Sequence, residues 1–278
     1  MKSCKRPQNL EHLTAKSAKS NSINYENSMT RKKRATGNMS YNKTPRGNRR
    51  SINLELLHKM HPLTDNQAKL FESYERGKNI LAHGCPGTGK THVILYNALR
   101  DTLNERTPYD KILLLRSTVQ SLDIGFLPGN IVDKISPFES PYKGMVKSMF
   151  DLPNEEDFEL IYGLLKNERI LEFDCVSFLR GTTYDNCILI VDECQNLNYH
   201  QLSTIITRVG QDSKIFFAGD SRQSDLTKQS ERNGFIEFTK VLGQMESFDL
   251  IQFTIDDVVR SNLVKEFLMA EKKVYEQV

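Results

Sequence analysis

The chain has 278 residues and a mass of 32.0 kDa, enough for one large or two small domains with a buried core and too long for a disulfide-stapled miniprotein. Its formal net charge of +3 is unevenly divided: residues 1–50 carry 13 Lys/Arg against 2 Asp/Glu, whereas residues 51–278 carry 25 against 33, a basic arm of +11 on an acidic body of −8. No apolar run approaches the roughly 18 residues of a spanning helix, no secretory leader is visible, and the five Cys have no CxxC spacing. These features argue against zinc or a redox pair and for a reducing, cytoplasmic setting.

Residues 1–50 are mostly Lys, Arg, Ser, Asn and Thr, with isolated apolar residues such as Leu10, Leu13, Ile23 and Tyr25. Such a stretch cannot bury enough apolar surface to offset ordering entropy, so disorder is expected. Arg31-Lys32-Lys33-Arg34 and Arg49-Arg50 are its charge foci. The arm either aids solubility or attaches electrostatically to nucleic acid. Beyond it, residues 51–278 read as a single domain in which short apolar runs alternate with helical stretches, the signature of an α/β fold with a parallel sheet. A helix is predicted from Leu63-Thr64, with Thr64 as cap and Gln67, Leu70 and Phe71 along it. Strands are predicted near 79–83, 111–116, 170–173, 187–191, 214–218 and 249–253, and helices at about 90–104, 137–150, 156–166, 200–209, 233–243 and 261–275.

Gly84-Cys85-Pro86-Gly87-Thr88-Gly89-Lys90-Thr91, followed by His92, fits G-x-x-x-x-G-K-[ST] between a predicted strand and a predicted helix. Glycines in such a loop let successive N–H groups turn inward at phosphate oxygens, at a positive helix end. Lys90 is then placed to reach the β- and γ-phosphates and the Thr91 hydroxyl to ligate Mg²⁺. The run Ile188-Leu189-Ile190-Val191 is apolar on both faces, as a central parallel strand must be, and delivers Asp192-Glu193 at its carboxyl end. A carboxylate pair at a strand end is by itself as often a helix cap. Beside a phosphate loop it reads as a magnesium carboxylate, Asp192, and a residue that polarises the attacking water, Glu193. ATP and Mg²⁺ are the expected ligands.

Asp192-Glu193-Cys194-Gln195 and Gly219-Asp220-Ser221-Arg222-Gln223 resemble motifs II and III of superfamily 1 helicases. That resemblance implies that Gln195 and Gln223 sense the γ-phosphate. Leu63-Thr64-Asp65-Asn66-Gln67 resembles the same family's Q motif, which implies that the Gln67 amide reads the adenine edge. The order of Leu115-Arg116-Ser117, Gly125-Phe126-Leu127-Pro128-Gly129, Phe178-Leu179-Arg180-Gly181-Thr182-Thr183, Val191 to Asn196, Gly219-Asp220 with Gln223 and Asp225-Leu226, and Asp257-Val258-Val259-Arg260 is similar to that of the PhoH family, over roughly residues 62–270. The resemblance implies a three-layer, RecA-like P-loop core with a mostly parallel sheet and ATPase activity. It also implies a link to phosphate starvation and single-stranded nucleic acid, RNA before DNA, as partner. Such proteins occur in bacteria and bacteriophages. The chain departs from the family pattern at Ser117, Cys194 and Ser221, where proline, alanine and proline are common, while keeping the chemically active residues.

By the same resemblance, Arg116, Phe178 and Arg180 are candidates to lie along nucleic acid; a structural arginine and a buried phenylalanine are the competing readings. About 18 residues follow Arg260, too few for a second RecA-like domain. The arginine that phosphoryl transfer needs must therefore come from this core or a neighbouring subunit. Arg260 is the candidate, and head-to-tail self-association, a hexameric ring included, is the expected assembly if it acts on a neighbour. Two other functions remain open from sequence: a nucleotide-gated RNA-binding module with negligible turnover, and a small-molecule kinase. Gly219-Asp220 argues against the kinase.

Overall fold

The computed structural model describes residues 52–116, 131–176, 181–220 and 229–275. The basic arm, Phe178, Arg180 and Gln223 lie outside these residues. Six strands, β1 (Asn79–Gly84), β2 (Lys111–Arg116), β3 (Leu171–Cys175), β4 (Cys187–Asp192), β5 (Lys214–Gly219) and β6 (Phe248–Phe253), form one sheet in the order β3-β2-β4-β5-β1-β6. Every neighbouring pair is parallel. Each strand falls where the apolar pattern predicts one. The helices are α1 (Asp65–Glu75), α2 (Lys90–Leu103), α3 (Ile131–Lys147), α4 (Glu155–Asn167), α5 (Tyr199–Ile206), α6 (Gln229–Leu242) and α7 (Asn262–Tyr275).

The two-residue side-chain period of the strands sorts the core into two faces. Ile80, Ala82, Ile112, Leu114, Ile188, Ile190, Phe216 and Ala218 pack with Leu70 and Tyr74 of α1 and with the buried face of α2. Leu81, Leu113, Leu115, Leu189, Val191, Ile215 and Phe217 pack with Leu202 and Ile205 of α5 and Phe235, Phe238 and Leu242 of α6. The result is the three-layer α/β architecture that the sequence implies. All six positions of β4 are buried, which explains its unbroken apolar run. On the first face Tyr74 stacks on Phe216 with ring centroids 5.1 Å apart.

Local signals account for the helix ends. The Thr64 side chain accepts from the Gln67 N–H at the start of α1, the Asn154 side chain caps α4 ahead of three acidic residues, and Asn198 and Gln201 form a reciprocal capping box on α5. Two predicted boundaries shift because tertiary bridges claim the terminal residues. The third helix is predicted to run to residue 150, but Phe150 pairs with Leu57 and the Met149 carbonyl accepts from the His58 N–H at 3.0 Å. α5 stops short of 209 because Val209 bridges Tyr184. The amino end of α3, Ile131, lies ahead of residue 137, where sequence puts its start. Among the described residues no helix is long and apolar enough to cross a membrane.

β5 lies between β1 and β4, so the carboxyl ends of β1 and β4 stand two strand spacings apart, roughly 10 Å, on one edge of the sheet. Open α/β sheets bind ligands at this edge. Because Ile190 is fully buried at the middle of β4, Ile190→Ala is expected to lower unfolding stability by about 2–5 kcal/mol. Urea denaturation should show a lower midpoint with an unchanged slope, and a loss below about 1 kcal/mol would contradict this placement of β4.

Candidate functional site

The loop from Gly84 to Gly89 joins β1 to α2. Gly89, the residue ahead of α2, is in the left-handed region (φ 79°), and the helix has no side-chain cap, so its first-turn N–H groups are left for another acceptor. Gly87 is also left-handed (φ 72°), and a Cβ there would stand 2.9 Å from Cγ of Arg260. Lys90 folds back over the loop: its Nζ donates to the carbonyls of Gly84 at 2.9 Å and Cys85 at 2.7 Å. Burial lowers the pKa of this ammonium, against the opposing charges of Asp220, Asp192, Cys85 and Glu193. The Thr88 hydroxyl donates to the Cys85 carbonyl at 3.1 Å.

On the neighbouring strand ends, the Thr91 hydroxyl donates to Oδ1 of Asp192 at 2.7 Å. The Tyr142 hydroxyl of α3 donates to Oδ2 of the same carboxylate at 2.7 Å. Glu193 is held in the left-handed region (φ 52°), a conformation that costs a non-glycine residue about 1 kcal/mol or more. The Gln195 side chain, 1% exposed, donates to Oε2 of Glu193 at 2.7 Å and accepts from the Asp220 N–H at 3.0 Å. A Cβ at Gly219 would lie 2.5 Å from Oε1 of Gln195, so the end of β5 must be bare for this carboxamide to fit.

These groups open onto a cleft of about 750 Å³ lined by Pro86 to Val93, Asp192, Glu193, Gly219, Asp220, Val259 and Arg260, with the strap His58 to His61, Leu63, Gln67 and Met145 completing it. Gly84, Cys85 and Gln195 are not among its lining residues. The Cys85 N–H is bonded to the Phe253 carbonyl at 3.1 Å, which removes it from the set of donors that sequence assigns to a phosphate. Gln67, which the resemblance assigns to the adenine edge, lines the cleft and is bonded to main chain. It is 3% exposed, its Nε2 donates to the Thr88 carbonyl at 2.9 Å and its Oε1 accepts from the Leu63 N–H at 2.8 Å. In this arrangement it braces the phosphate loop, and the amide expected to read adenine is engaged by main chain.

Arg260 lines the cleft of its own chain. The Val259 N–H donates to the Gly87 carbonyl at 3.1 Å, and Asp257 ties the preceding turn to Thr254 at 2.8 Å and to Asn66 of α1 at 2.7 Å. Burial works against ionisation of Asp257, but the bonds from Thr254, Asn66 and Thr64 prevail and lower its pKa. Sequence leaves two sources open for the arginine, this core or a neighbouring subunit; within this chain Arg260 already stands on the cleft beside the loop.

His92 lies on the wall of the cleft with its Nε2 3.0 Å from the Ser148 hydroxyl. Burial lowers its pKa, helped by His58 and Arg260; burial and then Lys90 lower that of His83 at the end of β1. Arg116, at the end of β2, places its guanidinium 5.9 Å over the Tyr142 ring. Among the described residues no cluster of three or more His, Cys, Asp or Glu could hold a metal ion alone. The Thr91 and Asp192 oxygens could still hold Mg²⁺ if phosphate oxygens and water complete the octahedron, the usual manner of binding for this hard cation. Sequence reasoning missed Tyr142, Asp220 and the 58–61 strap as site residues. Asp220 sits in a motif already noticed, whereas nothing in the spacing around Tyr142 points to Asp192.

The family model described as PhoH-like protein matches residues 59–272. The chain belongs to the PhoH-like protein family. Curated relatives include the PhoH-like protein of Mycobacterium tuberculosis, 29% identical over 212 residues, which are 76% of this chain and 57% of that one. The PhoH-like protein of Bacillus subtilis is 29% identical over 76% of this chain and 63% of its own length, and that of Synechocystis 30% over 74% and 62%. This PhoH-like chain thus spans about 57–63% of the length of those relatives. Solved structures with some likeness include the large terminase of a thermophilic bacteriophage in complex with ADP (TM-score 0.44, 16% identity, 74% of this chain and 49% of that). Another is the Pif1 helicase from Bacteroides in complex with ADP-AlF3 and ssDNA (TM-score 0.32, 17% identity, 70% and 42%).

The two histidines give this PhoH-like chain a pH-dependent stability. Both folded pKa values lie below the ordinary 6.5, so the unfolded chain binds more protons as pH falls through 6.5 and stability present above that pH is lost below it. Urea denaturation at pH 7.5, 6.5 and 5.5 should show this decline, and a His83→Gln, His92→Gln double variant should flatten it; an unchanged slope in that variant would refute the assignment.

Proposed function

We propose that this chain binds ATP with Mg²⁺, hydrolyses it, and couples the cycle to single-stranded nucleic acid, RNA before DNA. The observation that carries the reading is the 2.7 Å bond between Thr91, on the phosphate loop, and Asp192, at the end of β4, with Glu193 next in the chain and held by Gln195. That pairing joins an anion cradle to a carboxylate site across β5, as phosphoryl transfer requires.

In this reading the N–H groups around Gly87, Thr88, Gly89 and Lys90 and the Lys90 ammonium hold the β- and γ-phosphates. Thr91 and Asp192 hold Mg²⁺, which when bound neutralises charge on the transferred phosphoryl group. Glu193 orients and deprotonates the attacking water. Gln195 positions Glu193 and, through the Asp220 N–H, ties it to the end of β5, next to the segment that contains Gln223. Arg260 supplies positive charge in cis, supported by its packing on Gly87. Pro86, His92 and Gln67 line the nucleotide cleft, Gln67 bracing the Thr88 carbonyl as well, while Gly84 and Cys85 shape the loop.

For nucleic acid, the position of Arg116 at the same sheet edge supports its candidacy, with Phe178 and Arg180 proposed beside it. The +11 arm of residues 1–50 supplies the long-range attraction, since the body is net acidic. The ring assembly is proposed only as a family-level expectation, because Arg260 does not need it.

Phosphate release measured with and without single-stranded RNA tests the reading. Glu193→Gln is expected to lower turnover by about 100-fold or more while a fluorescent ATP analogue still binds. Lys90→Ala should lose binding. RNA-independent, negligible release by the intact chain would instead favour the nucleotide-gated binding module. Arg260→Ala should fall by about 1000-fold and regain nothing when mixed with Lys90→Ala; restored turnover in that mixture would reinstate the neighbouring-subunit arginine. Deleting residues 1–50 should weaken RNA binding and flatten its salt dependence.

A further inference from the structure

Tyr142 has no part in the roles above, yet it is the side chain that meets Asp192 from the sheet edge. It is 1% exposed, and its hydroxyl donates to Asp192 Oδ2 at 2.7 Å while Oδ1 accepts from Thr91 at 2.7 Å. A carboxylate tethered through one oxygen can still rotate about its terminal torsion, which is broad and soft. Two donors on different oxygens fix its plane. The ring that carries the second donor is itself held, by Phe173 at 5.8 Å between centroids and by the Arg116 guanidinium at 5.9 Å, within the range of a cation–π contact. Arg116 is also the register partner of Asp192 across β2 and β4, so one aromatic side chain bridges the outer sheet edge and the cation carboxylate.

We infer that Tyr142 is a positioning residue for the divalent-cation site, aiming the Asp192 carboxylate and tying that aim to Arg116. The inference rests on the proposed assignment of Thr91 and Asp192 to Mg²⁺. Outer partners of metal-binding groups typically alter metal affinity by 10–100-fold when removed, whereas a tyrosine that merely satisfies its own buried hydroxyl would alter only stability.

The test uses the full chain with Mn²⁺ and ADP, following bound Mn²⁺ by electron paramagnetic resonance, beside fluorescent ADP-analogue binding in EDTA. Tyr142→Phe keeps the ring and removes the donor. It should weaken Mn²⁺ binding by about tenfold and raise the Mg²⁺ concentration for half-maximal turnover to match, while metal-free nucleotide binding stays within about twofold. Asp192→Asn combined with Tyr142→Phe should be no worse than Asp192→Asn alone, because the tyrosine acts through that carboxylate. Thermal melting checks the fold; Arg116→Gln, which leaves the hydroxyl bond and loosens the ring, should shift Mn²⁺ affinity the same way by a smaller factor and serves if Tyr142→Phe folds poorly. Unchanged Mn²⁺ affinity in Tyr142→Phe, or additive losses in the double variant, overturns the inference. If the unsubstituted chain binds nucleotide and Mn²⁺ but Tyr142→Phe matches it, only the role of Tyr142 fails; if the unsubstituted chain binds neither, the Thr91 and Asp192 assignment fails with it.

Discussion

A helix that starts without a cap leaves its first N–H groups facing outward, and at α2 the surrounding structure keeps them so. Gly89 enters α2 in a left-handed conformation with no side-chain acceptor, and the loop ahead of it is shaped by three bonds to other segments: Gln67 to Thr88, Phe253 to Cys85 and Val259 to Gly87. The inward donors are left for an anion, and Lys90 rests on the Gly84 and Cys85 carbonyls within reach of it. The hydrogen-bond demand of a helix end, which elsewhere in this chain is met by Thr64, Asn154 and Asn198, is here met by no side-chain cap, and the proposed nucleotide site draws on it.

The carboxylate half of the site is built on the opposite principle, complete satisfaction. Both Asp192 oxygens are occupied by hydroxyl donors. Glu193 sits in an unfavourable backbone conformation stabilised by Gln195, whose other end is fixed by the β5 main chain. A displacement at the end of β5 would therefore be felt at Glu193 through one buried carboxamide. Coupling of this kind needs a continuous set of packed polar contacts, and the path from Asp220 to Gln195 to Glu193 supplies one.

The fold was legible because its signals are local. Six apolar runs became six strands, and β4 declared its central place by being apolar on both faces. The phosphate loop and the Asp-Glu pair were legible for the same reason, each being contiguous and placed at a strand end. What the sequence could not reveal depends on contacts far apart in the chain. Tyr142 meets Asp192 across 50 positions because of how α3 docks. Asn66 meets Asp257 across 191, which brings Arg260 to its own loop. Gln67 stands out by motif, yet its bond to the main chain of Thr88 depends on how α1 docks against the loop, which no local pattern shows. Cys85 lies inside the motif but gives its N–H to β6.

β6 is an edge strand, half exposed along its length, and such strands are commonly treated as trimmings of a sheet. Here the last residue of β6, Phe253, accepts from the Cys85 N–H, and the segment that follows it, from Thr254 to Arg260, meets the loop through the main-chain bond from Val259 to Gly87 and the Arg260 side chain against Gly87. A fragment ending after β5 would carry Lys90, Thr91, Asp192 and Glu193 and still lack these contacts to the loop. The contacts that hold the loop in this chain therefore run through residue 260, and an insertion of even one residue between β6 and α7 should disturb them more than a substitution that spares Asp257 and Arg260.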